Sequence, residues 1–584
     1  MEFFGQKGYN EAMISDTLKE AVISALSRLG VSRGDFAVEH PDELSHGDYS
    51  TNAALVFAKD LKVKPRELAE KLVAELEKGK PDEVESIDIA GPGFINFHLK
   101  REFFAEQIKN ILKEKEKFGS NDSFKKIGLK KVMIEYTDPN PFKEFHIGHL
   151  MSNAIGESIA RITEFSGALV KRACYQGDVG LHVAKAIWGY FNEKNNEGKK
   201  ERSENLDAGK LGAYYALGAV AYEENQDAKK EIVNINKKIY SKEDLDINKI
   251  YKVGREISLD YFAGIYKQLG TKFDLFFFES EAGPIGKKIV EENLENGIFE
   301  KSDGAVIFKG DEERGLHTRV FINSEGLPTY EAKELGLVEL KRKKYSYDLS
   351  LVVTGNEIKD YFKVLLDAVS KVFPLKNSQG TNIRHIPHGM LRLPSGKMSS
   401  RTGDVVTALS LIAKVRQNLK EKFSNKNSDV EDEKIAIGAI KYSILRQSSG
   451  DDIIFDLDKS ISFEGDSGPY LQYAAVRAQS ILRKADEAKM KESTNKSGES
   501  VHELEKILYR FPEIVERAAL EYEPHYITTY LTELAGLFNN YYANNQIIAA
   551  EDKDSPYKIA LTHAFEIVMR NGLNLLGIEV PERM

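Results

Sequence analysis

The stretch that most constrains this chain runs from Lys131 to Ile162. Lys131-Val-Met-Ile-Glu-Tyr136 is β-branched and aromatic and reads as a buried strand. Leu150-Met-Ser-Asn-Ala-Ile-Gly-Glu-Ser-Ile-Ala-Arg-Ile162 follows, with Ile155, Ile159 and Ile162 at helical spacing. Between them lies Pro139-Asn-Pro-Phe-Lys-Glu-Phe-His-Ile-Gly-His149. A strand therefore turns through two prolines into a helix, and His146 and His149 fall on that helix's first turn. Residues at i and i+3 share a face, and the free N–H groups of a helix start present partial positive charge to an anion. Gly148 between the histidines lets a ligand approach the backbone closely. The pattern predicts a polyphosphate site, with ATP as the ligand.

Two histidines beside one glycine also occur as surface residues of ordinary helices, so the motif needs a second half. It stands about 250 residues downstream, at Gly396-Lys-Met-Ser-Ser-Arg-Thr-Gly403. Here glycines bracket a basic, hydroxyl-rich loop and permit both positive φ and movement. Lys397 and Arg401 can reach a phosphate, while Ser399, Ser400 and the loop N–H groups can donate to it. An apolar pattern resumes at Val405. In this order and at this separation the two motifs resemble the HIGH and KMSKS elements of class I aminoacyl-tRNA synthetases. No GxGxxG or P-loop sequence is present, which argues against a dinucleotide enzyme and a Walker-type ATPase.

A chain of 584 residues is long enough for several domains, each with its own core. A single cysteine, Cys174, excludes an intramolecular disulfide and a cysteine-rich zinc site. No apolar run approaches membrane-spanning length, and the first residues lack a basic-then-apolar leader pattern, so a cytosolic protein is expected. With 82 basic and 91 acidic residues the net charge is −9, so any nucleic-acid surface must be local.

Residues 1–120 read as a small α+β domain, ending in two half-buried strands that turn at Pro92 and Gly93. Residues 121–425 alternate strand and helix, which predicts a Rossmann-type parallel sheet with ligands at the carboxyl ends of its strands. Polar and helical text over about 191–315 is read as an insertion into that fold. Residues 426–584 read as nearly all helix, so a chain cut near residue 425 is expected to keep the ATP-binding fold.

The chain resembles the arginyl-tRNA synthetases over nearly its whole length. The resemblance is carried by Gly47-Asp-Tyr-Ser-Thr-Asn52, Ala90-Gly-Pro-Gly-Phe-Ile-Asn96, Glu135-Tyr-Thr-Asp-Pro-Asn-Pro-Phe-Lys143, Gly326-Leu-Pro-Thr-Tyr330, Phe463-Glu-Gly-Asp-Ser-Gly-Pro-Tyr-Leu-Gln-Tyr473 and the final Pro581-Glu-Arg-Met584. It implies three parts: a tRNA-elbow domain, a Rossmann-type catalytic domain and a helical anticodon-binding domain. It also implies ATP with Mg²⁺, L-arginine and tRNA as partners, no structural zinc, and a monomer.

Carried over by motif, His146 and His149 hold the ATP phosphates and stabilise charge on the α-phosphoryl group. Pro139, Asn140, Gly148, Met398, Ser399 and Ser400 complete the ATP site, with Lys397 and Arg401 as loop cations. Glu135 and Asn140 address the amino-acid end, and Tyr330 and Glu334 bracket the guanidinium, whose planar fork of donors wants a carboxylate. Phe94 and Asn96 resemble residues that contact tRNA, a place in the core being the alternative for Phe94. Tyr470 and Tyr473 resemble residues that stack on anticodon bases, with packing inside the helices as the alternative for at least one.

Three departures from the family stand out. Ser400 replaces the second lysine of the KMSKS loop, a loss common in arginyl enzymes, and Lys143 is the expected substitute cation. Glu334 stands where the family usually has aspartate, and His182 where glutamine is expected. The resemblance further implies that adenylate formation waits for bound tRNA.

Overall fold

A computed structural model describes residues 13–31, 34–41, 43–197, 206–374, 382–392, 407–423, 428–495 and 500–584. Five strands form one parallel sheet, in the spatial order Ile383–His388, Leu349–Gly355, Lys131–Glu135, Leu169–Gln176, Leu275–Phe278. The chain enters at the middle strand, moves outward through two neighbours, then returns to the other side. That reversal lies between Lys131–Glu135 and Leu349–Gly355. The loops leaving their carboxyl ends diverge there and open a crevice. The loop after Lys131–Glu135 is the one that carries the histidine motif.

Lys131–Glu135 is a strand, as its apolar run predicts, whereas Ile383–His388 carried no such expectation and the span read as an insertion needs a correction. Leu275–Phe278 lies within the span expected as an insertion, yet it pairs with Ala173–Gln176 as an edge of the catalytic sheet. The inserted helices are Leu181–Glu197, Ala208–Glu224, Gln226–Ser241 and Leu245–Gln268. Arg319–Ile322 belongs to a separate antiparallel sheet with Ala305–Phe308 and Glu300–Ser302.

Helix Tyr330–Lys344 lies directly against helix Glu279–Glu292. A Cβ at Gly336 would stand 2.0 Å from the Ala282 carbonyl oxygen, and one at Gly286 would stand 1.6 Å from that of Ala332. Backbone cannot yield as a flexible side chain can. Gly336→Ala should therefore cost about 1–3 kcal/mol in urea unfolding. Wild-type stability in that variant would mean the helices can part freely.

Two compact units emerge from the contacts. One comprises residues 122–473, 517–529 and 572–584. The carboxyl terminus is part of its core: the Ser158 hydroxyl donates to the Leu575 carbonyl at 2.9 Å, and the buried Lys441 ammonium donates to the carbonyls of Leu269 and Gly577 at 2.7 and 2.6 Å. Strand Leu391–Arg392 pairs with Ile453–Ile454. A chain cut near residue 425 would lose these contacts, so it should not keep this fold intact, in contrast to the expectation from helical content alone.

The other unit comprises residues up to 121, 474–516 and 530–571. Its four strands are antiparallel, in the order Val38–Glu39, Tyr49–Thr51, Phe94–Leu99, Val84–Ala90. Tyr509 joins the core of this sheet and its helices. Glu513 binds His40 at 3.1 Å and the Tyr49 hydroxyl at 2.5 Å.

Candidate active site

The turn from Tyr136 to Phe145 is held by its own side chains. Phe142 and Phe145 are buried, the former among Val183, Leu211, Ile239 and Ile250 of the inserted helices, the latter against Phe262 and Tyr266. With these two aromatics anchored inward, Lys143 and Glu144 between them stay accessible.

Three non-glycine residues of the turn have positive φ: Thr137 at 81°, Asp138 at 44° and Phe142 at 68°. Each such residue costs about 1–3 kcal/mol and persists only where its surroundings over-determine it. Here they do. Thr137 N donates to Ser152 Oγ at 2.9 Å, and Asn153 Nδ2 donates to Thr137 Oγ1 at 3.0 Å. Tyr175 N donates to Asp138 Oδ1 at 2.7 Å, and Phe142 N to Ser258 Oγ at 2.9 Å.

His146 is the N-cap of helix Ile147–Phe165, not a residue of its first turn. Its Nδ1 accepts from Gly148 N at 3.1 Å, while His149 Nδ1 accepts from His146 N at 3.2 Å, a reciprocal capping box. The two imidazoles stack with centroids 3.6 Å apart. Burial, then the Lys143 charge, pulls the His146 pKa down to about 4. Burial, then His146 and Lys143, holds that of His149 well below the usual range. Both rings are neutral at pH 7, and with each Nδ1 accepting, each Nε2–H is left as a donor.

The downstream loop residues Lys397, Met398, Ser399, Ser400 and Arg401 lie outside the described residues. The chain just after them is placed: Thr407 bridges His146, and Ala408 N donates to the Phe145 carbonyl at 2.9 Å. The chain that follows the second motif, from Thr407 on, is thus tied backbone to backbone to the first motif.

Around the sheet's carboxyl ends the described residues include a set of buried acids, most of them matched by a cation. Glu135 pairs with Lys341 at 2.7 Å, Glu279 with Lys333 at 2.5 Å, and Asp178 with Arg255 at 2.9 Å. Asp138 and Glu334 have no such partner among the described residues. Burial, with Glu135 next, raises both; Glu334 reaches about 8 and Asp138 rises well above the usual carboxylate range. An acid pair left uncompensated is a place for a cation that the protein does not itself supply.

Of the residues expected to touch the amino acid, Glu334 fits this place best. Glu135 is committed to Lys341, so it acts on the pocket through its charge. Tyr330 starts the same helix one turn earlier, is 65 % exposed, and has Lys333 Nζ 5.1 Å from its ring centroid. Asn140 packs on Gly177, where a Cβ would stand 2.3 Å from Asn140 Oδ1. His182 Nε2 is bonded to the Gly177 carbonyl at 2.7 Å, and burial lowers its pKa to about 3. It braces the turn that Asn140 touches. Sequence reading missed Asp138, which nothing marks among the turn's other polar residues.

In the other unit, Phe94 is 40 % exposed at the start of its strand, so it is not a core residue. Asn96, two residues along, is 5 % exposed and paired between Ser50 and Asp88, which leaves Phe94 as the surface feature of the two. Tyr470 and Tyr473 are each half-buried on helix Gly468–Glu487, Tyr473 against Phe463.

The Glu334 shift has a measurable consequence. Below pH 8 burial and the Glu135 charge hold Glu334 largely protonated, whereas pairing with a guanidinium requires the carboxylate, so binding of such a ligand should release a proton. The affinity for a guanidinium ligand should be constant just above pH 8 and fall by up to about tenfold per unit below it. Calorimetry across pH 6–8 checks this; a flat profile would mean Glu334 is already ionised.

Comparison with known proteins gives concordant findings. Three family profiles match in sequence: an arginyl-tRNA synthetase N-terminal domain over residues 14–99, a class I (R) tRNA synthetase catalytic domain over 107–457, and a DALR anticodon-binding domain over 471–584. An arginine–tRNA ligase of Treponema denticola is 33% identical over 94% of both chains, and one of Lactobacillus johnsonii is 33% identical over 94% of this chain and 96% of its own. The solved arginyl-tRNA synthetase of Thermus thermophilus shares the fold, with a TM-score of 0.76 at 23% identity over 98% of this chain and all of the other.

Proposed function

The chain belongs to the class I arginyl-tRNA synthetases, and on that premise we propose how its own residues join arginine to tRNA. The arginine carboxylate attacks the α-phosphorus of ATP, pyrophosphate leaves, and the arginyl-adenylate then acylates the 3′-terminal ribose of tRNA with release of AMP. Asp138 and Glu334 receive the guanidinium, with Tyr330 alongside and Glu135 and Asn140 shaping the amino-acid end. His146 and His149 donate to the phosphates while Gly148 and Pro139 let them approach. Mg²⁺ arrives as the counter-ion of ATP.

Lys143 supplies the preorganised positive charge that Ser400 cannot. Lys397, Arg401, Met398 and Ser399 act on the ATP phosphates, a role supported by the tie between Thr407, just after them in the chain, and His146. The N-terminal domain (1–120), through Phe94, and the helical domain (426–584) hold the tRNA, with Tyr470 and Tyr473 the bases' stacking partners. No described helix is long and apolar enough to cross a membrane, and the cytosol, where tRNA is charged, is the place for this reaction.

The observation that carries this reading is the division of the crevice into a donor-rich end at His146 and an acidic end at Glu334. ATP–pyrophosphate exchange tests it. Exchange should require arginine and stay near background until tRNA is added, because binding of tRNA completes the site. Robust exchange with arginine alone would overturn the tRNA requirement, and none under either condition would overturn the adenylate route.

A further inference from the structure

Helix Ala208–Glu224, outside every motif discussed so far, carries Tyr215, and Lys143 Nζ lies 4.6 Å from the centroid of its ring. We propose that Tyr215 is a positioning residue for adenylate formation, its ring face holding the Lys143 ammonium in the phosphate space before ATP arrives. The inference rests on the role given to Lys143 above.

Three observations support it. First, Lys143 has no carboxylate within ion-pairing distance among the described residues; the contact the structure gives its ammonium is the ring. The difference is chemical. A carboxylate would neutralise the charge and compete with the incoming phosphate, whereas a ring attracts a cation through its quadrupole and leaves the full charge available.

Second, the helix that carries the ring is closely seated on its neighbour. Helix Ala208–Glu224 meets helix Leu181–Glu197 at glycines: a Cβ at Gly218 would stand 2.1 Å from the Lys185 carbonyl oxygen, and one at Gly189 would stand 2.4 Å from that of Tyr214. The Tyr214 hydroxyl also donates to Glu193 at 2.5 Å. Long, mobile lysine side chains lose much rotamer freedom when fixed, so a fixed aromatic wall has something to contribute.

Third, the same helix meets the turn again one residue on. A Cβ at Gly212 would stand 3.0 Å from Glu144 Cγ. The helix is thereby in register with the turn at both Lys143 and Glu144. The depressed His146 pKa, to which Lys143 contributes, is consistent with the ammonium resting toward the histidines.

The test is pyrophosphate exchange by the intact chain with tRNA, arginine and ATP. Tyr215→Leu should lower kcat on the order of tenfold and leave the arginine KM within about twofold. Tyr215→Phe, which keeps the ring, should restore most of the rate. In a Lys143→Ala background, Tyr215→Leu should slow the reaction no further. Phenylalanines carrying increasing numbers of fluorines at position 215 keep the shape while weakening the ring's negative face, and kcat should fall stepwise along that series. This series decides the matter if Tyr215→Leu does not fold. A wild-type rate for Tyr215→Leu, a Phe variant as slow as Leu, or an undiminished Leu effect without Lys143 would each overturn the inference alone. A wild-type rate for Lys143→Ala would overturn both it and the reading beneath it.

Discussion

Lys143→Ala should lower kcat for arginyl-adenylate formation by about 10²–10³-fold, the usual consequence of removing one preorganised electrostatic group from a phosphoryl-transfer site. The departing pyrophosphate needs a positive charge. The imidazoles of His146 and His149 are neutral at pH 7, held so by burial and by the Lys143 charge. They can donate to phosphate oxygens but bring no net charge. Ser400 brings none either. Pyrophosphate carries away negative charge as it leaves, and Lys143, three residues before the helix N-cap, is the cation the turn presents. The arginine KM should change little, since the guanidinium end of the crevice is formed by other residues. Single-turnover measurement of adenylate with bound tRNA checks this; a near-normal rate would transfer the role to Lys397 or Arg401.

Glu334→Gln should raise the arginine KM by an amount equivalent to about 2–4 kcal/mol, leaving the ATP KM nearly unchanged. The structure adds a second half to this expectation. Glu334 is buried near Glu135 and, like Asp138, has no cation paired with it among the described residues, so its ionised form is unfavourable. Glutamine resembles the protonated acid that this setting prefers, so Glu334→Gln should unfold no more easily than wild type. Loss of arginine affinity without loss of stability separates a substrate-binding acid from a structural one. Lys341→Met should behave oppositely, since it strands the buried Glu135 charge. An unchanged arginine KM in Glu334→Gln would remove Glu334 from the pocket.

The parts of this fold that were legible in the sequence are those governed by local periodicity. Lys131–Glu135 and the helix after it follow from an apolar run and from isoleucines at helical spacing. The Pro92–Gly93 turn follows from residue chemistry. What stayed hidden depends on contacts between distant segments. Leu275–Phe278 is four residues in polar, helical text, and only Leu169–Gln176 beside it makes it a strand.

The site divides the same way. His146 and His149 were visible because their spacing carries their chemistry. The positive φ values at Thr137 and Asp138 were not, since neither is glycine and the conformation is imposed by Ser152, Asn153 and Tyr175. Lys341 begins the basic run Lys341-Arg-Lys-Lys344, and it is buried against Glu135 because the fold brings that strand to it. Tyr215 carried no signal, because its significance is its distance to Lys143.

The central claim is that this crevice selects arginine and delivers it to tRNA. Charging of total tRNA by the intact chain, with each of the standard amino acids in turn, measures that directly. Arginine alone should be attached, at the 3′ end, in an ATP-dependent reaction. Attachment of a different amino acid, or of none with tRNA and ATP both present, would contradict it.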